Sequence, residues 1–387
     1  MRILMINYEY PPVGGGTANA NYYFIKELAK YPEVVVDLVT VKPDPGIAVE
    51  NYSENIRLHK IGIRKKDLHH WTGPEMLAWC LRAYRYLSRL LKTNDYDVCH
   101  CWNGWPPGFF GYLYRKKAPY IVALRGNDVP GYEKRFRFLE KVILRDLSRT
   151  IWKYASVVTA NSEELANLAQ NTLRCEIAVI PNGVDTDEFY PKKYQEIRMP
   201  LTLISTNRLG QRKGHIYLIQ ALRKVAGYRL ILVGQGSEME TLKRESRGLD
   251  VEFRGYVEHA DLNRELHRAD IYISTSLVEG MSNATLEAMA AGLPIISTDV
   301  GGIGKMIDGN GVVIRKIADV DAIAEALEHY LKKPSLIPAH GRRSRVMAEG
   351  MSWGSVVERY GREVYENGRR KALPSPDGGK EAEPLPL

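Results

Sequence analysis

Short runs of apolar residues recur along the chain, and most are followed by a stretch with helical periodicity. Strands that alternate with helices are typical of parallel sheets covered on both faces. A polar stretch at residues 181–200 interrupts this alternation and is interpreted as a linker. The pattern therefore predicts an α/β protein with two Rossmann-like, doubly wound domains. The predicted strands are residues 3–7, 34–40, 98–100, 121–124, 157–160, 177–180, 201–205, 229–233, 251–253, 271–274 and 295–297.

Residues 271–302 form the most informative unit: an apolar strand, a polar loop, a helix and a second apolar strand. Asn283 is suited to cap the helix. Glu279 lies in the loop, and Glu287 lies about one turn inside the helix. Because helical side chains lean toward the N-terminus, both carboxylates can face the mouth formed by the loop and the helix start. The backbone N–H groups of this mouth suit a phosphate, and the carboxylates suit the hydroxyls of a sugar nucleotide.

Glu279 and Glu287 are separated by seven residues within E-G-M-S-N-A-T-L-E-A-M-A-A-G-L-P. This segment resembles the E-x7-E signature of retaining glycosyltransferases of family 4, which have the GT-B fold. The resemblance implies two domains facing each other across a cleft: residues 1–185 bind the acceptor and residues 186–352 bind the donor. Residues 353–371 would form a helix that returns to the first domain. The proline-rich residues 372–387 are expected to be disordered.

The resemblance also implies roles for individual residues. Glu279 would contact the hydroxyls of the donor sugar, and Glu287 those of the ribose. Arg208 and Lys213 lie in a segment similar to the family's G-R-L…K-G and would stabilise the departing diphosphate. Arg125 stands where family members often have a histidine beside the donor sugar, and it can donate hydrogen bonds but cannot act as a neutral imidazole. The other implied donor contacts are Gly15 and Gly16 in the first loop, Gly255, Tyr256 and Val257 beside the nucleobase, and the amides of Met281, Ser282 and Asn283 on phosphate.

Composition limits the class of protein. The chain has 387 residues, of which 44% are hydrophobic and 26% charged, enough for two globular domains. Its sequence shows neither a signal peptide nor an apolar run long enough to span a membrane, and the four cysteines fit a reduced cytosol better than a disulfide framework. Cys99, His100 and Cys101 alternate within a predicted strand, which favours core packing over a zinc site.

Positive charge is concentrated in the first half of the chain. Between Arg57 and Lys153, 20 lysines and arginines stand against 8 aspartates and glutamates, within a net charge of +8. This excess can attract an anionic membrane, a lipid diphosphate carrier or an acidic glycan. Alternatively, the lysines and arginines simply lie on solvent-exposed helix faces. Residues 71–91 and 133–154 read as basic, aromatic helices. The apolar stripe of the second favours packing on its own sheet over lying on a membrane; it comprises Phe136, Leu139, Ile143, Leu147 and Ile151.

We therefore expect a cytoplasmic, retaining glycosyltransferase, and peripheral contact with the inner face of an anionic membrane stays open as the minority interpretation. It would move a sugar from a nucleoside-diphosphate donor to a hydroxyl of a glycan or lipid-linked acceptor. The resemblance implies neither a metal nor another cofactor, and no nucleic acid partner is expected. Asp185-x-Asp187 is interpreted as coincidental.

Two alternatives to this expectation stay open. One is a nucleotide-sugar epimerase of the same architecture, which would need no acceptor. The other is a non-catalytic subunit that binds a sugar nucleotide or a glycan. The sequence lacks the G-x-G-x-x-G fingerprint, which disfavours a nicotinamide oxidoreductase.

Overall fold

The computed structural model describes residues 1–132, 144–193, 197–279 and 281–370. The chain divides into two compact units, Met1–Asn182 together with the segment from Trp353 onward, and Gly183–Ser352. Each unit is built on a predominantly parallel sheet. The predicted class, a doubly wound α/β protein with two sheets, is confirmed.

The first unit contains an eight-stranded sheet in the order β3-β4-β2-β1-β5-β6-β7-β8, in which only β3 runs antiparallel to its neighbour. Its central strands are nearly continuous apolar runs because both faces of the sheet are covered. The strands are β1 Arg2–Ile6, β2 Val35–Lys42, β3 Gly46–Asn51, β4 Ile56–Gly62, β5 Val98–Cys101, β6 Tyr120–Leu124, β7 Val157–Ala160 and β8 Ala178–Val179. The helices are α1 Gly16–Leu28, α2 Gly73–Thr93, α3 Pro107–Leu113, α4 Arg145–Tyr154 and α5 Glu163–Gln170.

The second unit contains a six-stranded parallel sheet in the order β11-β10-β9-β12-β13-β14. Its strands are β9 Leu201–Thr206, β10 Tyr228–Val233, β11 Val251–Gly255, β12 Ile271–Ser274, β13 Ile295–Thr298 and β14 Gly311–Ile314. Its helices are α6 His215–Leu222, α7 Met239–Glu245, α8 Leu262–Leu266, α9 Asn283–Ala290, α10 Val320–Lys332 and α11 Leu336–Glu349. The carboxyl ends of these strands share one edge of the sheet, where ligands of such folds bind.

The C-terminal segment packs on the first unit. It consists of α12 Trp353–Arg359, a π-helical turn at Tyr360–Tyr365 and α13 Glu366–Arg370. The Trp353 ring stacks on Tyr23 of α1, and His100 of β5 contacts Tyr360 and Tyr365. Cys99 and Cys101 lie buried on the other face of β5, in the core, as the packing interpretation expected. Residues 372–387 lie outside the described residues.

The sequence pattern did not predict three of the observed strands, β3, β4 and β14. The most informative of them is β4, where Arg57 and His59 interrupt the apolar run but bind the buried Asp37 of β2. No helix separates β2 from β4; the edge strand β3 does, contrary to the predicted alternation. The predicted cap of α9 was also wrong by one residue, because the Ser282 hydroxyl accepts from the Thr285 N–H at 3.3 Å and Asn283 is the first helical residue.

The predicted helix at residues 133–154 is described only in part. Within α4, Ile151 is buried and Leu147 packs at the edge of the core, as the packing interpretation expected. Phe136, Leu139 and Ile143 lie outside the described residues.

Candidate active site

Two loops meet at the carboxyl ends of the neighbouring strands β9 and β12. The Leu277 N–H donates to the Arg212 carbonyl at 2.7 Å, and the Thr275 hydroxyl donates to the Lys213 carbonyl at 3.3 Å. Gly214 has φ +64°, and a Cβ there would lie 2.2 Å from the Thr275 oxygen. Only glycine allows this close approach. The two loops are therefore fixed against each other.

This junction brings together Lys213 and Glu279, two of the predicted catalytic residues. The Lys213 ammonium pairs with the Glu279 carboxylate, and the Ser276 hydroxyl donates to the same carboxylate oxygen at 3.1 Å. Both charged side chains are largely buried. Ammonium and carboxylate thus neutralise each other, and each can also bind an incoming ligand: the ammonium a phosphate, the carboxylate a hydroxyl.

Glu287, the predicted ribose-binding carboxylate, lies on α9 and is held by a residue that sequence reasoning missed. The Nε2 atom of His259 lies 3.1 Å from Glu287 Oε1, and its Nδ1 atom lies 3.2 Å from Glu188 Oε1. Burial alone would lower the pKa of His259, but hydrogen bonds to Glu188 and Glu287 outweigh it and raise the pKa to about 10. His259 is therefore an imidazolium that bridges two carboxylates. The available signal in the sequence was its position, two residues after the Gly255–Val257 segment.

The remaining residues predicted in this unit lie along the same sheet edge. Arg208 follows β9 with its side chain exposed. Gly255 ends β11 with φ +69°, and Tyr256 beside it is 54% exposed, with its hydroxyl donating to Glu258. Val257 follows, and the segment from Met281 through Ser282 to Asn283 leads into α9. The structure thus gathers the predicted donor residues of this unit at the ends of β9, β11 and β12.

The predicted residues of the first unit lie in two loops of its own sheet. Gly15 precedes α1, Gly16 begins it, and a Cβ on Gly15 would meet nothing within 4 Å. Arg125 follows β6 with its guanidinium 3.6 Å from the centre of the Trp102 ring. It donates to Asn182 Oδ1 at 2.9 Å and to the Tyr360 hydroxyl at 3.2 Å. Arg125 is therefore held within its own unit, and its contact with a donor sugar stays a prediction.

Two carboxyls near these loops were missed by the sequence reasoning. Glu9 follows β1, and desolvation, opposed by Lys65 and assisted by Asp128, raises its pKa to about 7. Asp128 accepts backbone N–H groups from Gly104, Arg125 and Gly126 at 2.6 to 3.0 Å, which fixes the loop after β6. Asp185 has a similar structural role in the other unit, since it accepts the N–H groups of Asp187 and Glu188.

Two family models match the chain. One, described as Glycosyltransferase Family 4, covers residues 14–188, and the other, described as Glycosyl transferases group 1, covers residues 200–333. Over 393 aligned residues, the chain is 26% identical to a protein of Mycobacterium tuberculosis named glycogen synthase, and the alignment covers 92% of each chain.

Solved structures resemble the chain over nearly its whole length. Sucrose-phosphate synthase from Thermosynechococcus elongatus has a TM-score of 0.80 at 22% identity, covering 93% of this chain and 97% of the other. HepE of Anabaena, solved in complex with UDP-glucose, has a TM-score of 0.69 at 17% identity, covering 93% and 98%. At these identities the likeness establishes the fold.

Proposed function

Because the chain belongs to the family 4, group 1 glycosyltransferases and has the GT-B fold, we propose that it moves a sugar from a nucleoside-diphosphate sugar to an acceptor hydroxyl with retention of anomeric configuration. The observation that carries this proposal is the Lys213–Glu279 pair at the junction of the β9 and β12 loops. Glu287 at the start of the adjacent helix supports the same assignment.

The chemistry of the pair fits the demands of the reaction. In glycosyl transfer, the bond between the acceptor oxygen and the anomeric carbon forms, and the bond from that carbon to the phosphate oxygen breaks. Negative charge gathers on the departing diphosphate, so a cation at this point lowers the barrier. Lys213 supplies that cation. Arg208 lies earlier in the same segment that follows β9. Glu279 accepts hydrogen bonds from the sugar hydroxyls and orients the donor.

We further propose that the acceptor is a lipid-linked or cell-surface glycan and that transfer occurs in the cytoplasm beside the membrane. The excess of cations in the first half of the chain supports this assignment. The UDP-glucose bound in HepE makes uridine nucleotides the first donors to test.

Replacement of Glu287 by alanine is expected to abolish the thermal stabilisation that the correct nucleoside diphosphate gives the wild type. A ligand at a hundredfold excess over its dissociation constant adds about 2.7 kcal/mol to the free energy of unfolding. Melting temperatures of both proteins would be measured with UDP, GDP, ADP and their common sugar conjugates. Glu240→Ala removes an exposed acid of α7 in the same unit and should keep the full shift. A wild type that none of these nucleotides stabilises would contradict donor binding.

Replacement of His259 by alanine is expected to weaken UDP binding about tenfold and to raise the KM of the donor, while kcat changes little. The reason is positional: without the imidazolium, Glu287 loses the charged hydrogen bond, worth about 1.5–3 kcal/mol, that orients its carboxylate. Titration calorimetry with UDP would measure the change. His329→Ala, a histidine of α10, is the control. Unchanged or tighter UDP binding by His259→Ala would show that the histidine does not position Glu287.

The raised pKa of His259 also fixes the sign of a pH effect. The hydrogen bonds of charged His259 to Glu188 and Glu287 contribute stability that is fully present below the ordinary histidine pKa of about 6.5. This stability is lost as pH rises through about 10. The difference in unfolding free energy between the wild type and His259→Ala should therefore shrink in alkaline solution.

A further inference from the structure

Helix α2 of the first unit carries an apolar stripe on its solvent side, in addition to the face that packs on the sheet. The buried face consists of Trp79, Ala83, Leu87 and Leu91. On an adjoining face that is open to solvent, Leu77, Leu81 and Tyr84 follow one another at the spacing of a single helix face and are 62%, 53% and 49% exposed. A helix that only covers a sheet would carry polar residues at such positions.

The stripe continues onto the ends of two neighbouring helices. The Tyr84 ring stacks on Tyr114, just after α3, with centroids 6.2 Å apart. Tyr112 contacts Tyr154 at the end of α4, at 5.6 Å. Leu113 and Tyr154 are themselves 40% and 52% exposed. We call these side chains on three successive helices the tyrosine–leucine surface; it comprises Leu77, Leu81, Tyr84, Leu113, Tyr114 and Tyr154.

Cations surround the tyrosine–leucine surface, and acids are scarce there. The sequence has no aspartate or glutamate from residue 76 to 94 or from 107 to 117. The Arg115 guanidinium lies 4.1 Å from the centre of the Tyr112 ring. Six exposed cations border the patch, and none forms an ion pair with a carboxylate of the described chain; they are Arg85, Arg89, Lys92, Arg115, Lys116 and Lys153.

We propose that the tyrosine–leucine surface docks the protein onto an anionic lipid bilayer. Leucine side chains and tyrosine rings would enter the interfacial layer, while the surrounding cations meet lipid phosphates. Charge complementarity favours this occupant, because the border carries six exposed cations and the sequence has no carboxylate at residues 76–94 or 107–117. Among the residues that the structure describes, no helix is long and apolar enough to span a bilayer, so the contact proposed is with the membrane surface. This inference rests on the proposed function in one respect: docking on the membrane would bring the candidate active site to a lipid-linked acceptor.

The experiment is co-sedimentation of the full chain with vesicles. Vesicles of phosphatidylcholine with phosphatidylglycerol should bind the protein, vesicles of phosphatidylcholine alone should not, and binding should weaken as salt rises. The double variant Leu77→Ser/Leu81→Ser should lose most of the binding. Arg85→Glu and Lys116→Glu should each weaken it at least about fivefold. The matched control is Ile47→Ser/Val49→Ser, which removes two equally exposed apolar residues from the edge strand β3 of the same unit.

Either of two results would overturn the proposal. The first is a wild type that does not bind anionic vesicles, or vesicle binding that Leu77→Ser/Leu81→Ser and the control Ile47→Ser/Val49→Ser weaken to the same extent. The second is self-association in gel filtration that only Leu77→Ser/Leu81→Ser removes, which would assign the patch to a second copy of the chain. Thermal stabilisation by UDP, measured on every variant, reports folding and the donor site separately. A loss of vesicle binding with the UDP shift intact would therefore leave the proposed function standing.

Discussion

Replacement of Lys213 by alanine is expected to lower kcat by about 10²–10³-fold, with a much smaller change in donor KM. That range is typical for removing one group that stabilises charge developing in a transition state. Lys213 is well placed for this role because hydrogen bonds between two loops and the close approach at Gly214 fix its backbone. Its ammonium, paired with Glu279, is already positioned before a ligand arrives.

The measurement is the release of nucleoside diphosphate under steady-state conditions, compared with the melting temperature of each variant. Lys224→Ala removes a lysine of the same unit from an exposed pair with Asp321 and should keep full activity. A double-mutant cycle with Glu279→Gln tests whether the two residues act as one unit, in which case their effects are not additive. Retention of kcat by a folded Lys213→Ala protein would remove Lys213 from the reaction.

The second large effect concerns stability, and it belongs to the sheet of the first unit. Replacement of the buried Asp37 by asparagine is expected to lower the free energy of unfolding by about 3 kcal/mol, since it leaves several donors without their anion. The carboxylate accepts from Arg57 and His59 at 2.9 Å, from Tyr96 at 2.8 Å and from Arg2 at 3.2 Å. These contacts tie β2 to β1, to β4 and to Tyr96 ahead of β5.

Urea unfolding at neutral pH would measure this loss. The exposed Asp95→Asn is the control and should change the unfolding free energy by no more than about 0.5 kcal/mol. Desolvation would raise the pKa of Asp37, but hydrogen bonds from His59, Tyr96 and Arg57 outweigh it and hold the pKa well below its ordinary range. A depressed carboxyl pKa stabilises the fold above about pH 4, and that stability is lost as the pH falls further. The difference in unfolding free energy between the wild type and Asp37→Asn should therefore become smaller in acid. A difference that does not change with pH would contradict the assignment.

The sequence revealed those features that are encoded locally. Apolar runs identified the central strands, because strands covered on both faces must be apolar throughout. The seven-residue spacing between Glu279 and Glu287 placed both carboxylates at the end of one strand and the start of the next helix. The structure adds their partners, Lys213 and Ser276 for Glu279 and His259 for Glu287.

Features that depend on distant residues could not be read in this way. Strand β4 was missed because Arg57 and His59 look like solvent-exposed residues until Asp37 of a neighbouring strand is known to bind them. The role of His259 was missed for the same reason, since Glu188 lies 71 positions earlier in the chain. Periodicity reports which face of an element is buried, but it does not report which charges meet there.

The central claim is retaining transfer from a nucleoside-diphosphate sugar, and the anomeric configuration of the released sugar tests it most directly. In the absence of an acceptor, water can take the place of the acceptor hydroxyl, and proton NMR at early times shows which anomer forms first. The account predicts nucleoside diphosphate together with a sugar that first appears in the configuration it had in the donor. First appearance of the opposite anomer would contradict retention, and a wild type that cleaves no nucleotide sugar, with or without glycan or lipid-linked acceptors, would contradict the transfer itself.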